Sequence, residues 1–144
     1  MPLLIVRLCL DFGLLVLIWI IQLVVYPSFK YYPRAQLLEW HQKYTRQITY
    51  IVLPLMLGQL VCAGIQLWNG FSWYTGSSCL IIGLLWGSTF LQFVPLHYQI
   101  DKEGFKEEVL DQLVQKNWFR TLLWTMLFFI SLVKVISNGK TITY

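Results

Sequence analysis

Apolar residues along this chain gather in four long runs, 3–26, 49–68, 77–94 and 118–136, separated by stretches where charged and amide side chains concentrate. Each run comes close to the ~20 residues a helix needs to cross a hydrocarbon core about 30 Å thick. Two of the intervening stretches carry a helical period of their own. Leu37, His41, Tyr44 and Ile48 recur at i, i+4, i+7 and i+11, behind a Pro33 suited to the first position of a helix. Phe105, Val109, Leu113, Asn117, Arg120 and Trp124 fall on one helical face, and the apolar members imply that this face turns inward. Helices are therefore expected at about 3–26, 33–68, 77–94 and 104–136. Pro54 lies inside the second, where its missing N–H favours a kink. The pattern predicts an all-α membrane protein: one integral domain over 1–144, a four-transmembrane-helix up-down bundle with helical extensions on one side.

Composition supports lipid as part of the solvent. With 57% hydrophobic and 12% charged residues and a mean hydropathy of +0.59, a soluble domain of this size could not bury its apolar surface. The first run is too long for a signal-peptide core. It carries Arg7 and Asp11 early and ends at Tyr26-Pro27 without a small-residue cleavage site, so it reads as a retained helix. Cys9, Cys62 and Cys79 lie singly in apolar runs and read as buried free thiols.

Charge sets the expected orientation. Lys30, Arg34, Lys43, Arg46, Lys102, Lys106, Lys116 and Arg120 fall on one side, with Arg7, Lys134 and Lys140 near the other. The positive-inside rule puts the first, basic face in the cytoplasm and both termini outside, as in a bacterial inner membrane. The net charge of +4 is spread over loops and leaves no nucleic-acid footprint. Tyr26, Tyr31, Tyr32, Trp40, Tyr50, Tyr98 and Trp118 at the basic face, and Trp68, Phe71, Trp73 and Tyr74 at the other, read as interfacial aromatic belts. Gly83 and Gly87 make a small-xxx-small pattern that suits close helix approach within the bundle, or else a homo-oligomer contact.

An even number of crossings separates His41, His97 and the Asn117–Arg120 segment, so topology brings them to one membrane face. Polar groups there are costly and point to function. Arg120 carries a permanent charge on an apolar face, and its planar fork suits a carbonyl, enolate or carboxylate. His41 can serve as a general base, with Asn117 beside Arg120. His97, on the loop after the third helix, Tyr44, Gln59 as pocket floor, and Trp124 are candidate substrate contacts. Two histidines are fewer than the three or four protein ligands usual for zinc, so no metal or other cofactor is expected. A haem or metal at His41 and His97, with Glu39 or Asp101 adding oxygen, is the lesser alternative. Gln22, Gln59, Gln66 and Gln92 suit interhelical hydrogen bonds, and Arg7 stands one turn from Asp11 to neutralise it.

Three patches, Val25-Tyr26-Pro27-Ser28-Phe29, Val94-Pro95-Leu96-His97 and Asn117-Trp118-Phe119-Arg120-Thr121, resemble the anthrone-oxygenase-like family of small bacterial four-helix membrane proteins, mostly of unknown function. The resemblance covers the four-helix layout and these patches. It implies a cofactor-independent oxygenase acting on a lipophilic aromatic or enolisable substrate, with Asn117 and Arg120 steadying the enolate or phenolate. His97 stands where the family carries an amide. The competing reading is a non-catalytic membrane subunit or a small-molecule or lipid-binding module docking a protein partner. A transporter would call for an inverted repeat or a pair of broken helices.

Overall fold

A computed structural model describes residues 2–102 and 104–140, without the side chain of Lys140. Its described residues are helical and turn, arranged as an all-α four-helix bundle. The helices are α1 (Pro2–Tyr31), α2 (Arg34–Asn69), α3 (Trp73–Ile100) and α4 (Glu108–Lys140), and each contains a stretch long and apolar enough to cross a membrane. α1 packs on α2 and α4, and α3 packs on the same two, so the four form a ring. The extensions expected on the basic face are the first turns of α2 and α4.

Local chemistry explains where these helices begin. Pro33 caps α2. Ser72 caps α3 in a reciprocal box: its hydroxyl accepts from Thr75 N–H, and the Thr75 hydroxyl accepts from Ser72 N–H. This cap starts α3 at Trp73, ahead of the apolar run beginning at 77. Glu108 and Asp111 in the first turn of α4 complement the positive end of its dipole. Gly104, at φ 82°, supplies the left-handed residue between α3 and α4.

Two widened turns set the inner faces of α1 and α3. Residues Ile21–Val25 and Thr89–Phe93 are π-helical, with Tyr26 N–H bonded to the Ile21 carbonyl and Val94 N–H to that of Thr89. Each widened turn immediately precedes a proline pair, Tyr26-Pro27 or Val94-Pro95. A proline inside a helix lacks a donor and its ring presses on the carbonyl four residues back, so a wider turn relieves the clash. The extra residue shifts the buried register. In α3 the buried positions run Ser78, Ile81, Leu85 and Ser88, then step by five to Phe93, Leu96 and Ile100. In consequence α3 continues through Pro95 to Ile100, and His97 sits on a helix rather than on the loop expected from the sequence. α2 likewise stays α-helical through Pro54.

The interior divides in two. Toward the basic face, Tyr26, Phe29, Leu37, Phe93, Ile100 and Leu113 form one apolar cluster; Leu14, Ile18, Met56, Leu85, Trp124 and Leu127 form another deeper in the bundle. Beyond the second cluster lies a buried ion pair. Asp11 accepts from Arg7 Nε at 3.0 and 3.1 Å, from Gln59 Nε2 at 2.6 Å and from the Ser131 hydroxyl, while Arg7 Nη1 donates to Gln66 Oε1 at 3.3 Å. Arg7 and Asp11 are fully buried, and their partners tie α1 to α2 and α4. Arg7 does stand opposite Asp11, as their spacing suggested.

Side chains such as Ile5, Phe12, Leu23, Leu60, Leu84 and Phe129 face outward, the exposure pattern of a bundle surrounded by lipid. Trp68, Phe71 and Trp73 at one end, and Tyr31, Tyr50 and Tyr98 at the other, occupy the expected belts. Tyr26 does not: it is 3% exposed, inside the bundle. Gly83 and Gly87 make no close approach within the bundle, since a Cβ at either position would meet nothing within 4 Å. Close approach occurs instead between α1 and α2, where a Cβ on Gly58 would lie 3.2 Å from Leu10 and one on Gly13 would lie 3.7 Å from Leu55.

Candidate functional site

Four side chains from three helices and the end of α3 form one hydrogen-bonded line near the basic face. Asp101 Oδ1 lies 2.7 Å from His41 Nδ1, His41 Nε2 lies 2.8 Å from His97 Nδ1, and His97 Nε2 lies 3.2 Å from the Tyr26 hydroxyl. A carboxylate only accepts, so His41 donates from Nδ1 and, when neutral, accepts at Nε2. His97 must then donate from Nδ1 and accept at Nε2, which makes the Tyr26 O–H the donor at the far end. Every hydrogen in the line therefore points toward Asp101. A proton entering at Tyr26 can be handed along by successive donor exchanges without moving a side chain. The outer end reaches water: the Asp101 side chain is 32% exposed, whereas His41 is 0% exposed.

Packing holds the line rigid. The two imidazoles stack at 5.0 Å between centroids, and the Phe29 ring sits edge-on to His41 at 5.6 Å. Tyr26 stacks on Phe93 at 6.3 Å, a contact made by the two residues that the widened turns redirect.

Arg120 adjoins the Tyr26 end. It is 6% exposed, and its charge bears on the hydroxyls of Tyr26 and Tyr44. Its polar contacts are long, Nη1 to Asn117 Oδ1 and Nη2 to Thr89 Oγ1, both at 3.4 Å, and its Nε has no partner. The guanidinium lies 4.2 Å from the Phe93 ring centroid and 5.0 Å from that of Trp124. Asn117 is itself fixed by Gln22, to which it donates at 2.9 Å. Among the described residues no carboxylate pairs with Arg120. Burying an ion carries a penalty of several kcal/mol (order of magnitude), and two aromatic faces offset only about 0.5–2 kcal/mol each. No counter-charge for this cation stands among the described residues.

Both features open onto one cavity of about 430 Å³, within the size range of small-molecule pockets. Its walls are Tyr44, Thr45, Ile48, Thr49, Val52, Leu53 and Met56 of α2 against Trp86, Thr89, Phe90, Phe93, Val94, His97 and Tyr98 of α3 with Asp101 just past its end, and Ile21, Tyr26 and Arg120 from α1 and α4. The lining is mostly apolar, and the phenol, imidazole and guanidinium are among its few polar groups.

Of the residues singled out in the sequence, Tyr44, His97 and Arg120 line this cavity. His41 stands behind His97 and Asn117 behind Arg120, while Trp124 lies under the guanidinium; none of these three lines the cavity. Gln59 is not its floor. Its amide donates to Asp11 in the ion-pair cluster, because a buried carboxylate has more acceptor sites than Arg7 alone fills and is a strong claim on a further donor. Sequence reasoning gives neither Tyr26 nor Asp101 its place at the two ends of the line. Asp101 is four residues past His97 yet bonds His41, sixty positions away, which spacing cannot reveal. Tyr26 carries a usable signal, the proline directly after it. Among the described residues no group of three or more His, Cys, Asp or Glu is placed to hold a metal ion. Comparison with known proteins gives no match, whether to a family model, to a curated protein or to a solved structure.

Proposed function

We propose that this protein is a membrane enzyme of the cofactor-independent oxygenase type, acting on a lipophilic aromatic or enolisable substrate. The observation that carries this reading is the convergence of a hydrogen-bonded Tyr-His-His-Asp line and a buried guanidinium, without a carboxylate partner among the described residues, on one mostly apolar cavity. The resemblance of the Asn117–Thr121 and Val94–His97 patches to the anthrone-oxygenase-like family points to the same chemistry.

The substrate's oxygen docks at Arg120, and its acidic CH2 group faces Tyr26. As the Tyr26 oxygen takes a proton from carbon, its own proton passes to His97, then by exchange to His41 and Asp101. The carbanion that remains is stabilised as an enolate at Arg120, in the manner of donors preorganised for developing negative charge. Dioxygen adds to that carbon to give a hydroperoxide anion, which takes a proton back along the same line. The hydroperoxide then loses water, so CH2 and O2 become C=O and H2O. Four electrons leave carbon and four enter oxygen. In this mechanism His41 and Asp101 position and relay, and Tyr26, His97 and Arg120 meet the substrate.

The experiment is oxygen uptake by the full chain in lipid vesicles supplied with a hydroxyanthrone. Tyr26→Phe keeps the ring packing and removes the hydroxyl to which this mechanism assigns the carbon-bound proton. Turnover should fall by about 10²–10⁴-fold, the usual contribution of a positioned acid–base group. Saturable binding without oxygen uptake in the unaltered protein would instead make it a small-molecule-binding module.

The accompanying orientation has the basic face in the cytoplasm of a bacterial cell and the termini outside. A cysteine at the exposed position Lys43 (Lys43→Cys) should react with a membrane-impermeant maleimide only after the cells are opened. Labelling in intact cells would reverse the orientation.

A further inference from the structure

The cavity lies along a seam. Most of its lining comes from the facing sides of α2 and α3, which reach from Tyr44 to Met56 on one and from Trp86 to Tyr98 on the other. On α2 that is a length of about 18 Å, measured from near the basic face toward the middle of the bundle. Several lining residues are also open to the outside: Leu53 is 43% exposed, Phe90 56% and Val94 52%. These residues lie within the apolar runs, so what they meet outside is lipid rather than water.

Threonines on this seam do not make it polar. Thr45 donates its hydroxyl to the His41 carbonyl, Thr49 to that of Thr45 and Thr89 to that of Leu85, each four residues back on its own helix. With its hydroxyl engaged, each threonine adds little free polarity to the wall. The opening is thus apolar where Leu53, Phe90 and Val94 meet lipid; Asp101 lines the cavity at its basic-face end, and Arg120, with no carboxylate partner among the described residues, borders it from within the bundle.

The geometry points to a lateral portal between α2 and α3, through which a membrane-dissolved amphiphile with an ionised phenol or enol oxygen enters from the bilayer and docks that oxygen on Arg120. The inference rests on the proposed function for the chemistry after docking, but not for docking itself. An apolar ring or chain matches the walls. A single negative oxygen supplies the counter-charge that no described carboxylate provides, and in a medium of low polarity such a pair holds strongly. A ligand carrying several charges would be excluded by the lipid-facing mouth.

Photolabelling tests this directly. The full chain is reconstituted in phosphatidylcholine vesicles with a long-chain nitrophenol, ionised at neutral pH, that carries a diazirine in its tail. The label should concentrate on peptides containing Leu53, Phe90 and Val94 and should saturate. The probe's methyl ether should label about ten-fold less or weaker still, the loss of one charge-assisted contact. Leu53→Trp, a bulky change at a lipid-exposed position, should close the mouth and lower labelling to a similar degree. Leu60→Trp, equally exposed on the same helix but outside the cavity, should leave it unchanged. Even labelling of all lipid-facing helices would overturn the portal, as would an unaffected Leu53→Trp. The two readings fail separately. Saturable labelling at the mouth without oxygen uptake keeps the portal and removes the oxygenase chemistry. Full oxygen uptake by Leu53→Trp keeps the chemistry and removes the portal.

Discussion

Arg120→Gln is expected to lower kcat/KM by about 10²–10³-fold, the effect of removing one preorganised donor from a developing oxyanion, without lowering the thermal stability of the ligand-free protein. The two halves of this result have opposite origins. Glutamine is shorter and gives up contacts with Asn117 and Thr89 that are already long at 3.4 Å, and it carries no charge to hold an enolate. In the empty protein that charge is a burden, since it is buried and no carboxylate among the described residues pairs with it. Removing it relieves a desolvation cost and forfeits the contacts with the Phe93 and Trp124 rings. A residue kept for structure would behave otherwise, its loss lowering the melting temperature and the activity together. Arg120→Lys should fall between, because a lysine supplies the charge without the planar fork. The checks are oxygen-uptake kinetics and a thermal melt in detergent, run on the same preparations. A marked drop in Tm with unchanged kcat/KM would make Arg120 a structural residue.

The opposite behaviour is expected at the other end of the bundle. Asp11→Ala should lower the free energy of unfolding by about 3–5 kcal/mol, the cost of leaving the partner of a buried ion pair alone. Asp11 takes bonds from Arg7, Gln59 and Ser131, so its loss strands three donors on three helices at once. The double variant Arg7→Met with Asp11→Leu removes both charges. It should recover about 2 kcal/mol or more of that loss, because apolar replacement of a whole pair is far less costly than breaking it. Recovery stays incomplete while the Gln59 and Ser131 donors lack an acceptor. Equilibrium unfolding in mixed micelles measures all three proteins. Equal stability of Asp11→Ala and the unaltered chain would mean that this cluster does not hold α1, α2 and α4 together. Since the cluster lies across an apolar layer from Tyr26 and Arg120, oxygen uptake at moderate temperature should survive in the double variant.

These predictions draw on different levels of the molecule. The number of helices, their approximate bounds and the inward faces of α2 and α4 were legible in the sequence, because lipid and helical period act on every residue of a run in the same way. Leu37, His41 and Tyr44, and Val109, Leu113, Asn117, Arg120 and Trp124, are buried as their spacing indicated. The Arg7–Asp11 contact was legible for the same reason, being one helical turn long.

What the tertiary structure alone decided begins with two widened turns. By adding one residue to α1 and α3 before Pro27 and Pro95, they rotate Tyr26, Phe93 and His97 into the bundle. A regular helical period misplaces every position beyond such a turn. The choice of hydrogen-bond partner was also hidden, since burial and not sequence distance determines who competes for a donor. Gln59 went to Asp11 instead of the cavity, and Asp101 to His41 across sixty residues. The sequence thus determined that this chain is a four-helix membrane bundle with His41, His97 and Arg120 near one face. Packing decided that the histidines point at each other, that a tyrosine ends their line, and that the guanidinium stands beside it with no carboxylate partner among the described residues. Helical period is a local property, whereas the direction of a proton line and the lack of a counter-charge exist only once the four helices are assembled.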